Sequence, residues 1–525
     1  MRFPKMLALG AGGLSAIGFA PIGWWPVTLI CFAVLMHLVR EAPGWKAGAA
    51  RGYWFGVGHF TVGLNWIAGA FQFQDAMPHW LGWVAVVALA LYIGVYPAMA
   101  AGAARWLISP SPWRFAPVPL PASGERAGFS FILIFAAMWI ITEYLRAVVF
   151  TGFAWNPLGV VAIPAHLAIG ATLVGTYGLS GLMVLTSGGL LAVYNRRRLA
   201  GFLLIAPIFL VSMPPIGWLL QWPPQSVSTP PLIRIVQPNI GQQDKHNEAF
   251  DDINFAKLAN LTGMPGPEPR LILWPEAAVP EFIGQNGDEA RVAREKLAAL
   301  IGPKDILLTG AVKLEFVNRQ DGVNTETVLG SARNAMFVLD GQGRILGRYD
   351  KSHLVPYGEY LPMAPFLSAI GLSRLVPGTV DFWPGPGPRT YAVPGFGKMG
   401  VQICYEIIFS GQVVDEAHRP DFLFNPSNDA WFGAWGPVQH LAQARLRAIE
   451  EGIPIIRATP TGISAVIDAG GNILHKLPYQ KAGYIETRLP PPHPPTLFSR
   501  YGNSLSLAFA FFLGLMGIAL RRFGR

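Results

Sequence analysis

The chain has 525 residues, of which 52% are hydrophobic and only 14% charged; soluble domains carry roughly 25% charge, so a purely water-soluble protein is excluded. Its formal net charge of +9 would suit a nucleic-acid surface, but the basic residues sit in short segments between apolar runs, and the excess reads as a topology signal instead. Two cysteines, one of them (Cys31) inside an apolar run, leave no disulfide framework.

In chain order, eight apolar runs read as membrane spans, at about 6–24, 25–40, 53–71, 81–104, 129–149, 165–194, 199–221 and 503–520, each near the ~20 residues that cross a bilayer. The segments joining them on one side hold Arg2, Lys5, Arg40, Lys46, Arg51, Arg105, Arg114, Arg126, Arg196, Arg197, Arg198, Arg521, Arg522 and Arg525. The short loops around 72–80 and 150–164 hold no Lys or Arg. Basic loops stay on the cytoplasmic side, so both termini are expected there and the long 222–502 segment on the other. The first run, behind Met1–Lys5, is expected to be a retained span and not a cleaved leader, because only then do both basic ends share a side. The expected organisation is a seven-span membrane domain over 1–221, an extracytoplasmic domain over 222–502, and an eighth span with a basic tail over 503–525. Proline-rich stretches at 222–231 and 490–495 read as stiff junctions.

Within 222–502, short buried-strand patterns begin at Leu232, Arg270, Asp305 and Asp421, and helical periodicity fills 286–301 and 437–452. Turns at Gly341–Gly343, Gly395–Gly397 and Gly470–Asn472 predict three hairpins. The pattern is that of a mixed α/β domain.

Three polar groups stand at the ends of such strands, where α/β folds gather their chemistry. Glu276 closes Trp274-Pro-Glu, Lys351 follows Tyr349-Asp, and Cys404 closes the run that starts at Lys398. A carboxylate, an ammonium and a thiol are the parts of an acyl-transfer site, with the lone thiol as its candidate nucleophile. Each also has an ordinary reading: a surface carboxylate, a solvated strand end, and a small buried hydrophobe. His59, His79, His166, His353 and His440 lack metal-ligand spacing and read as hydrogen-bonded structural residues. No cofactor is expected. The glycines after Asp340 and around Phe396 read as turns and not as phosphate loops, since no helix start follows them.

The contexts Trp274-Pro-Glu276, Lys351-Ser-His-Leu354 and Ile403-Cys-Tyr-Glu406 resemble the nitrilase superfamily, whose glutamate, lysine and cysteine act together. Pro356-Tyr-Gly-Glu-Tyr-Leu-Pro362, Asn425-Pro-Ser-Asn-Asp-Ala-Trp-Phe432 and the multi-span frame resemble one family within it, the bacterial apolipoprotein N-acyltransferases, over essentially the whole chain. The resemblance implies a multi-span α-helical membrane domain carrying an αββα sandwich of nitrilase type. It implies a ping-pong reaction in which Cys404 takes an acyl chain from a phospholipid as a thioester. The amino group of a diacylglyceryl-modified cysteine at an apolipoprotein N-terminus then accepts that chain. Glu276 would be the general acid–base and Lys351 the oxyanion partner, together with a backbone N–H near Cys404. Glu359 would match a second glutamate that positions the lysine or the substrate, and Tyr405 and Glu406 would support the nucleophile. The implied setting is the bacterial inner membrane, with the catalytic domain periplasmic.

One departure is Lys245-His246, where family members commonly have Lys-Trp, at a substrate contact. Two other readings share parts of the pattern. A membrane-tethered amidase or nitrile hydrolase would use the same trio with water as acceptor. A transporter or scaffold would carry the domain inert, but charged residues are missing from the middle of most spans. The pair Glu143 and Arg146 reads as an interfacial ion pair. The apolar stretch 364–377 reads either as a lipid-contacting arm or as a segment packed on the core, and 153–159 as lining for a lipid path.

Overall fold

In the computed structural model, residues 3–73, 77–109, 125–212, 230–245, 247–321, 324–369 and 381–522 are described. Four helices are long and apolar enough to cross a membrane: Leu81–Leu107, Ala127–Val148, Ala168–Tyr194 and Ser504–Arg522. Trp25–Arg40 and Arg198–Leu210 are apolar but shorter. The first expected run is broken into the helix Pro4–Ser15 and a single turn, Ala16–Gly18. The third becomes Trp45–Gly63, whose glycines lower its hydropathy while serving its packing. A Cβ on Gly52 would stand 2.4 Å from the Pro97 carbonyl oxygen, and one on Gly58 would stand 2.1 Å from that of Leu9. Small residues let membrane helices approach backbone to backbone; a hydropathy scan registers only the missing side chains.

Helix Ala171–Tyr194 breaks at Gly175, which has φ of +67° and ψ of −178°. Such a backbone suits glycine alone, and a Cβ there would stand 2.2 Å from the Phe498 ring. The break frees the amide of Thr176, and the carboxylate of Glu450 accepts from it at 2.5 Å and from the Thr176 hydroxyl at 2.6 Å. A carboxylate at a helix N-terminus satisfies an orphan donor and meets the positive end of the helix dipole. Here the cap is supplied by a residue 274 positions away in sequence.

The second domain is a pair of six-stranded sheets. One runs β12-β1-β2-β3-β4-β5 and the other β11-β10-β9-β8-β7-β6, with β1 Leu232–Gln237, β2 Arg270–Leu273, β3 Ile306–Asp321, β4 Asn324–Asp340, β5 Ile345–Asp350, β6 Thr390–Val393, β7 Gly397–Val401, β8 Phe422–Pro426, β9 Ile455–Ala458, β10 Ala465–Ile467, β11 Ile473–Lys476 and β12 Gly483–Arg488. The central strands β1, β2, β3 and β7, β8, β9 are parallel, and the three predicted turns join the antiparallel pairs β4–β5, β6–β7 and β10–β11. The strand period of two sorts their side chains. Ile233, Ile235, Leu271, Leu273, Phe422, Phe424, Ile456 and Val466 fill the seam between the sheets. The alternate residues Val236, Ile272 and Trp274 meet the helices Asp251–Thr262 and Asp288–Ala298. An αββα sandwich follows, as the nitrilase resemblance implies.

The outer face of the second sheet has a different partner. Leu423, Ile455 and Ile467 share one apolar cluster with helix Gly436–Glu451 and with the membrane helices. Along that helix Gln439, Gln443, Arg447 and Glu450 recur at helical spacing and all reach the membrane part. Gln439 donates to the carbonyls of Ala20 and Gly63 and accepts from the Trp155 indole. Gln443 accepts from the Asn156 amide, and Arg447 from the same face donates to the Thr176 hydroxyl. The sheet domain is therefore bolted to the helices rather than hung from them.

The loop 153–159 is part of this junction, not an open path. Trp155, Asn156 and Leu158 are buried; Arg146 donates to the Trp155 carbonyl, and Glu143 accepts from the Leu158 amide. Glu143 and Arg146, 4.0 Å apart and both buried, are thus internal pins of the loop. Of the stretch 364–377, the helix Ala364–Ala369 is described and presents an exposed Phe366; the rest lies outside the described residues.

Candidate active site

Parallel sheets place catalytic groups beyond the carboxyl ends of their strands, and this one does so from both layers. Glu276 lies three residues past β2, Lys351 directly follows β5, and Cys404 lies three residues past β7. Cys404 does not end the strand, as its sequence pattern predicts, but opens the tight turn Cys404–Ile408 with φ of +51°. A left-handed backbone is unfavourable for cysteine, so the surroundings must hold it.

Glu276, Lys351 and Cys404 converge, each at most 6% exposed. The Lys351 ammonium lies 3.5 Å from Glu276 Oε1 and 2.9 Å from a carboxylate oxygen of Glu359. Asn334, on β4, spans the two carboxylates, donating to Glu276 Oε1 at 2.7 Å and to Glu359 Oε1 at 2.9 Å. Sequence reading missed Asn334, which sits inside a strand with no motif to mark it. Burial alone would depress the Lys351 pKa, but Glu359 and Glu276 outweigh it and raise the pKa above its ordinary value. The lysine is a fixed cation.

With Oε1 of Glu276 held by Asn334 and Lys351, its Oε2 is buried with no hydrogen-bond partner among the described residues. That oxygen is left to accept a proton. The nearby thiol needs such an acceptor: burial and the Glu276 charge push the Cys404 pKa well above its ordinary value, against the pull of Lys351 and of the Asn428 N–H. Cys404 is thus a thiol at rest, not a standing thiolate.

Glu359 touches Lys351, and its Oε2 also accepts from the Val355 amide at 2.9 Å. Glu406 points away from the trio. Its Oε1 accepts from the Tyr349 hydroxyl, the Ser352 amide and hydroxyl, and the His353 amide, while Oε2 accepts from the Ile403 amide at 2.6 Å. It ties the segment after Lys351 to the residue before Cys404. Tyr405 is buried against Phe409 and His353, its hydroxyl 3.4 Å from the Gly152 carbonyl.

A second lysine also faces the site. Lys245 donates to the Glu276 carbonyl at 2.9 Å. Desolvation lowers its pKa to about 8, against the charges of Glu276 and Cys404, which raise it. Its neighbour His246 lies outside the described residues. His59, His353 and His440 all bond to protein groups, and the described residues contain no cluster suited to a metal ion.

A buried Glu-Lys-Cys trio between two sheets, carried on a helical bundle, defines the class: a carbon–nitrogen hydrolase-type domain joined to a membrane domain. Profiles of two families match accordingly, the apolipoprotein N-acyltransferase N-terminal domain over residues 11–189 and carbon-nitrogen hydrolase over 252–492. The apolipoprotein N-acyltransferase of Rhodopseudomonas palustris is 33% identical over 98% of this chain and 95% of its own length. That of Bradyrhizobium diazoefficiens is 34% identical over 95% and 91%. Among solved structures, Saccharomyces cerevisiae Nit3 of the nitrilase superfamily aligns with 20% identity and a TM-score of 0.35, over 50% of this chain and 90% of its own; no part of the assignment rests on it. The chain belongs to the apolipoprotein N-acyltransferase family.

Proposed function

We propose that this protein N-acylates apolipoproteins by a ping-pong route through Cys404, with a phospholipid as donor and a diacylglyceryl-modified N-terminal cysteine as acceptor. The observation that carries the reading is the convergence of buried Cys404 and Lys351 with Glu276, whose Oε2 has no partner among the described residues. Glu276 takes the thiol proton as sulfur attacks the ester carbonyl. Lys351 and the backbone N–H of Tyr405 stabilise the tetrahedral oxyanion. The carbon–oxygen bond then breaks, and Glu276 returns its proton to the glycerol oxygen that leaves as lysophospholipid. In the second half the acceptor amine attacks the thioester, Glu276 takes the amine proton, and the sulfur departs and is reprotonated.

The membrane part supports a lipid donor: apolar helices are joined to the catalytic layer through one continuous core. Diacyl lipid stays in the bilayer by about 0.8 kcal/mol per CH₂, so the nucleophile must come to it. Basic connecting loops support a multi-pass arrangement in the bacterial inner membrane, both termini cytoplasmic and the 222–502 domain periplasmic.

The test is intact mass after mixing the protein with a phospholipid of defined acyl chains and no acceptor. One acyl adduct, labile to hydroxylamine and absent in Cys404→Ser, is expected. Glu276→Gln should slow its formation by 10²-fold or more, on the order of a general base's contribution. A folded wild-type protein that gains no adduct overturns the reading; sustained release of fatty acid without acceptor would favour a hydrolase.

A further inference from the structure

Behind the cysteine lies a charged cluster that the acyl-transfer steps do not use. Asp429, His440 and Arg457 are each fully buried, on three separate elements: the turn Asp429–Trp431, helix Gly436–Glu451 and β9. Arg457 donates to both Asp429 oxygens, at 2.7 and 2.6 Å, and also to the Ser427 hydroxyl. His440 places Nδ1 3.0 Å from Asp429 Oδ1 and from Arg457 Nη2, and Nε2 3.0 Å from the carbonyl oxygen of Cys404. Its ring is bracketed by Trp155, from the membrane part, and by Phe432.

The chemistry fixes the tautomer. A carbonyl oxygen only accepts, so Nε2 must carry the proton. Burial and the Arg457 charge lower the His440 pKa, which keeps the ring neutral, so Nδ1 accepts from Arg457. The bonded carbonyl belongs to the residue at φ of +51°, and in a trans peptide the C=O and the following N–H point opposite ways. Anchoring the Cys404 carbonyl therefore aims the Tyr405 N–H the other way.

We propose that Asp429, His440 and Arg457 form a positioning relay that holds the Cys404–Tyr405 peptide so that the Tyr405 N–H faces the oxyanion of the acyl-transfer intermediate. The proposal rests on the reading of Cys404 as the nucleophile. His440 touches no reacting atom; it acts through the peptide. The stretch Asn425–Phe432, which carries part of the family resemblance, gains a purpose as well. Asn425 donates to the Gln402 carbonyl at 2.6 Å, Asn428 gives its N–H to the sulfur, and Asp429 holds the Arg457 guanidinium that donates to the imidazole.

The experiment compares two reactions of one thiol. Acylation by phospholipid passes through an oxyanion; alkylation by iodoacetamide is a displacement and does not. His440→Gln places an N–H near the position of Nε2, His440→Asn places it near Nδ1, and His440→Leu has none. In Leu and Asn variants, single-turnover thioester formation should fall on the order of 10²-fold, the cost of an oxyanion donor, through kcat and not KM. Their alkylation rates at matched pH should stay within about threefold, the Brønsted-scale sensitivity expected of a small thiol pKa change, and His440→Gln should recover most of the acylation. The proposal is overturned if acylation is unchanged in the Asn variant, if acylation and alkylation fall together, or if Gln and Asn behave alike. Absence of a thioester in the wild type would instead overturn the functional reading beneath it. Should the Leu variant fail to fold, the Gln and Asn pair, both neutral amides, decides the matter alone.

Discussion

Glu406 touches both halves of the site, taking four donors on one oxygen and the Ile403 amide on the other. Glu406→Gln puts an N–H where only acceptors fit, and a buried donor facing a donor costs about 1–3 kcal/mol. Thermal stability and thioester rate should therefore fall together, and iodoacetamide alkylation should slow as well, in contrast to the His440 variants. Glu451 offers a test by pH. It is buried with Oε2 unpartnered, and burial, reinforced by Glu450, raises its pKa to about 8. Because the folded pKa lies above the unfolded value of about 4.3, its contribution to stability is complete below that value and is lost as pH rises toward 8. Glu451→Gln should abolish that decline and gain roughly 3 kcal/mol over wild type at pH 8.5, read as Tm between pH 5 and 8.5. At this scale the sequence made Glu276, Lys351 and Cys404 legible, because polar residues after apolar strands stand out, and Glu359 only through the family resemblance of the motif around it. Asn334 was not, since it lies within a strand whose pattern is set by its neighbours and is brought to the site only by tertiary packing; Lys245 stood out only through the family's Lys-Trp pair, and His440 only as a hydrogen-bonded structural residue.

Among the elements, the strands and hairpins of the sandwich followed their apolar runs and glycine turns closely, and so did the helices expected at 25–40, 81–104, 129–149, 165–194 and 503–520, whereas the runs at 6–24 and 53–71 were broken or displaced. Hydropathy reads a helix by its side chains; Trp45–Gly63 packs by lacking them, and helix Ala171–Tyr194 hides a break inside one apolar run. The break is testable. Gly175→Ala combines a disfavoured φ with a Cβ 2.2 Å from the Phe498 ring and should cost at least about 1–2 kcal/mol. The measurement is Tm in detergent, with Gly178→Ala unsuitable as a control because its Cβ would also meet a neighbour at 2.5 Å; Gly10→Ala, with open space around it, should leave Tm unchanged.

For the whole molecule, the inside-positive loops make a prediction about sidedness. Met264 and Tyr194 are 86% and 82% exposed and fall on opposite sides of the proposed topology. A membrane-impermeant maleimide applied outside the inner membrane should label Met264→Cys and leave Tyr194→Cys unlabelled until the membrane is opened, in a background where the native cysteines are replaced. The reverse pattern would refute a periplasmic catalytic domain. The cap on Thr176 also bears on the order in which the protein is made. Synthesis runs from the N-terminus, so helix Ala171–Tyr194 enters the bilayer long before residue 450 leaves the ribosome. Through that interval the amide of Thr176 has no carboxylate to meet. The nascent bundle must wait, with a polar break uncapped, for a domain that is still being made and, in the proposed topology, translocated. Chains arrested before Glu450 should thus be recognised by membrane quality control as incomplete, and maturation of this enzyme becomes a checkpoint: the helices are finished only when the catalytic domain has arrived and docked.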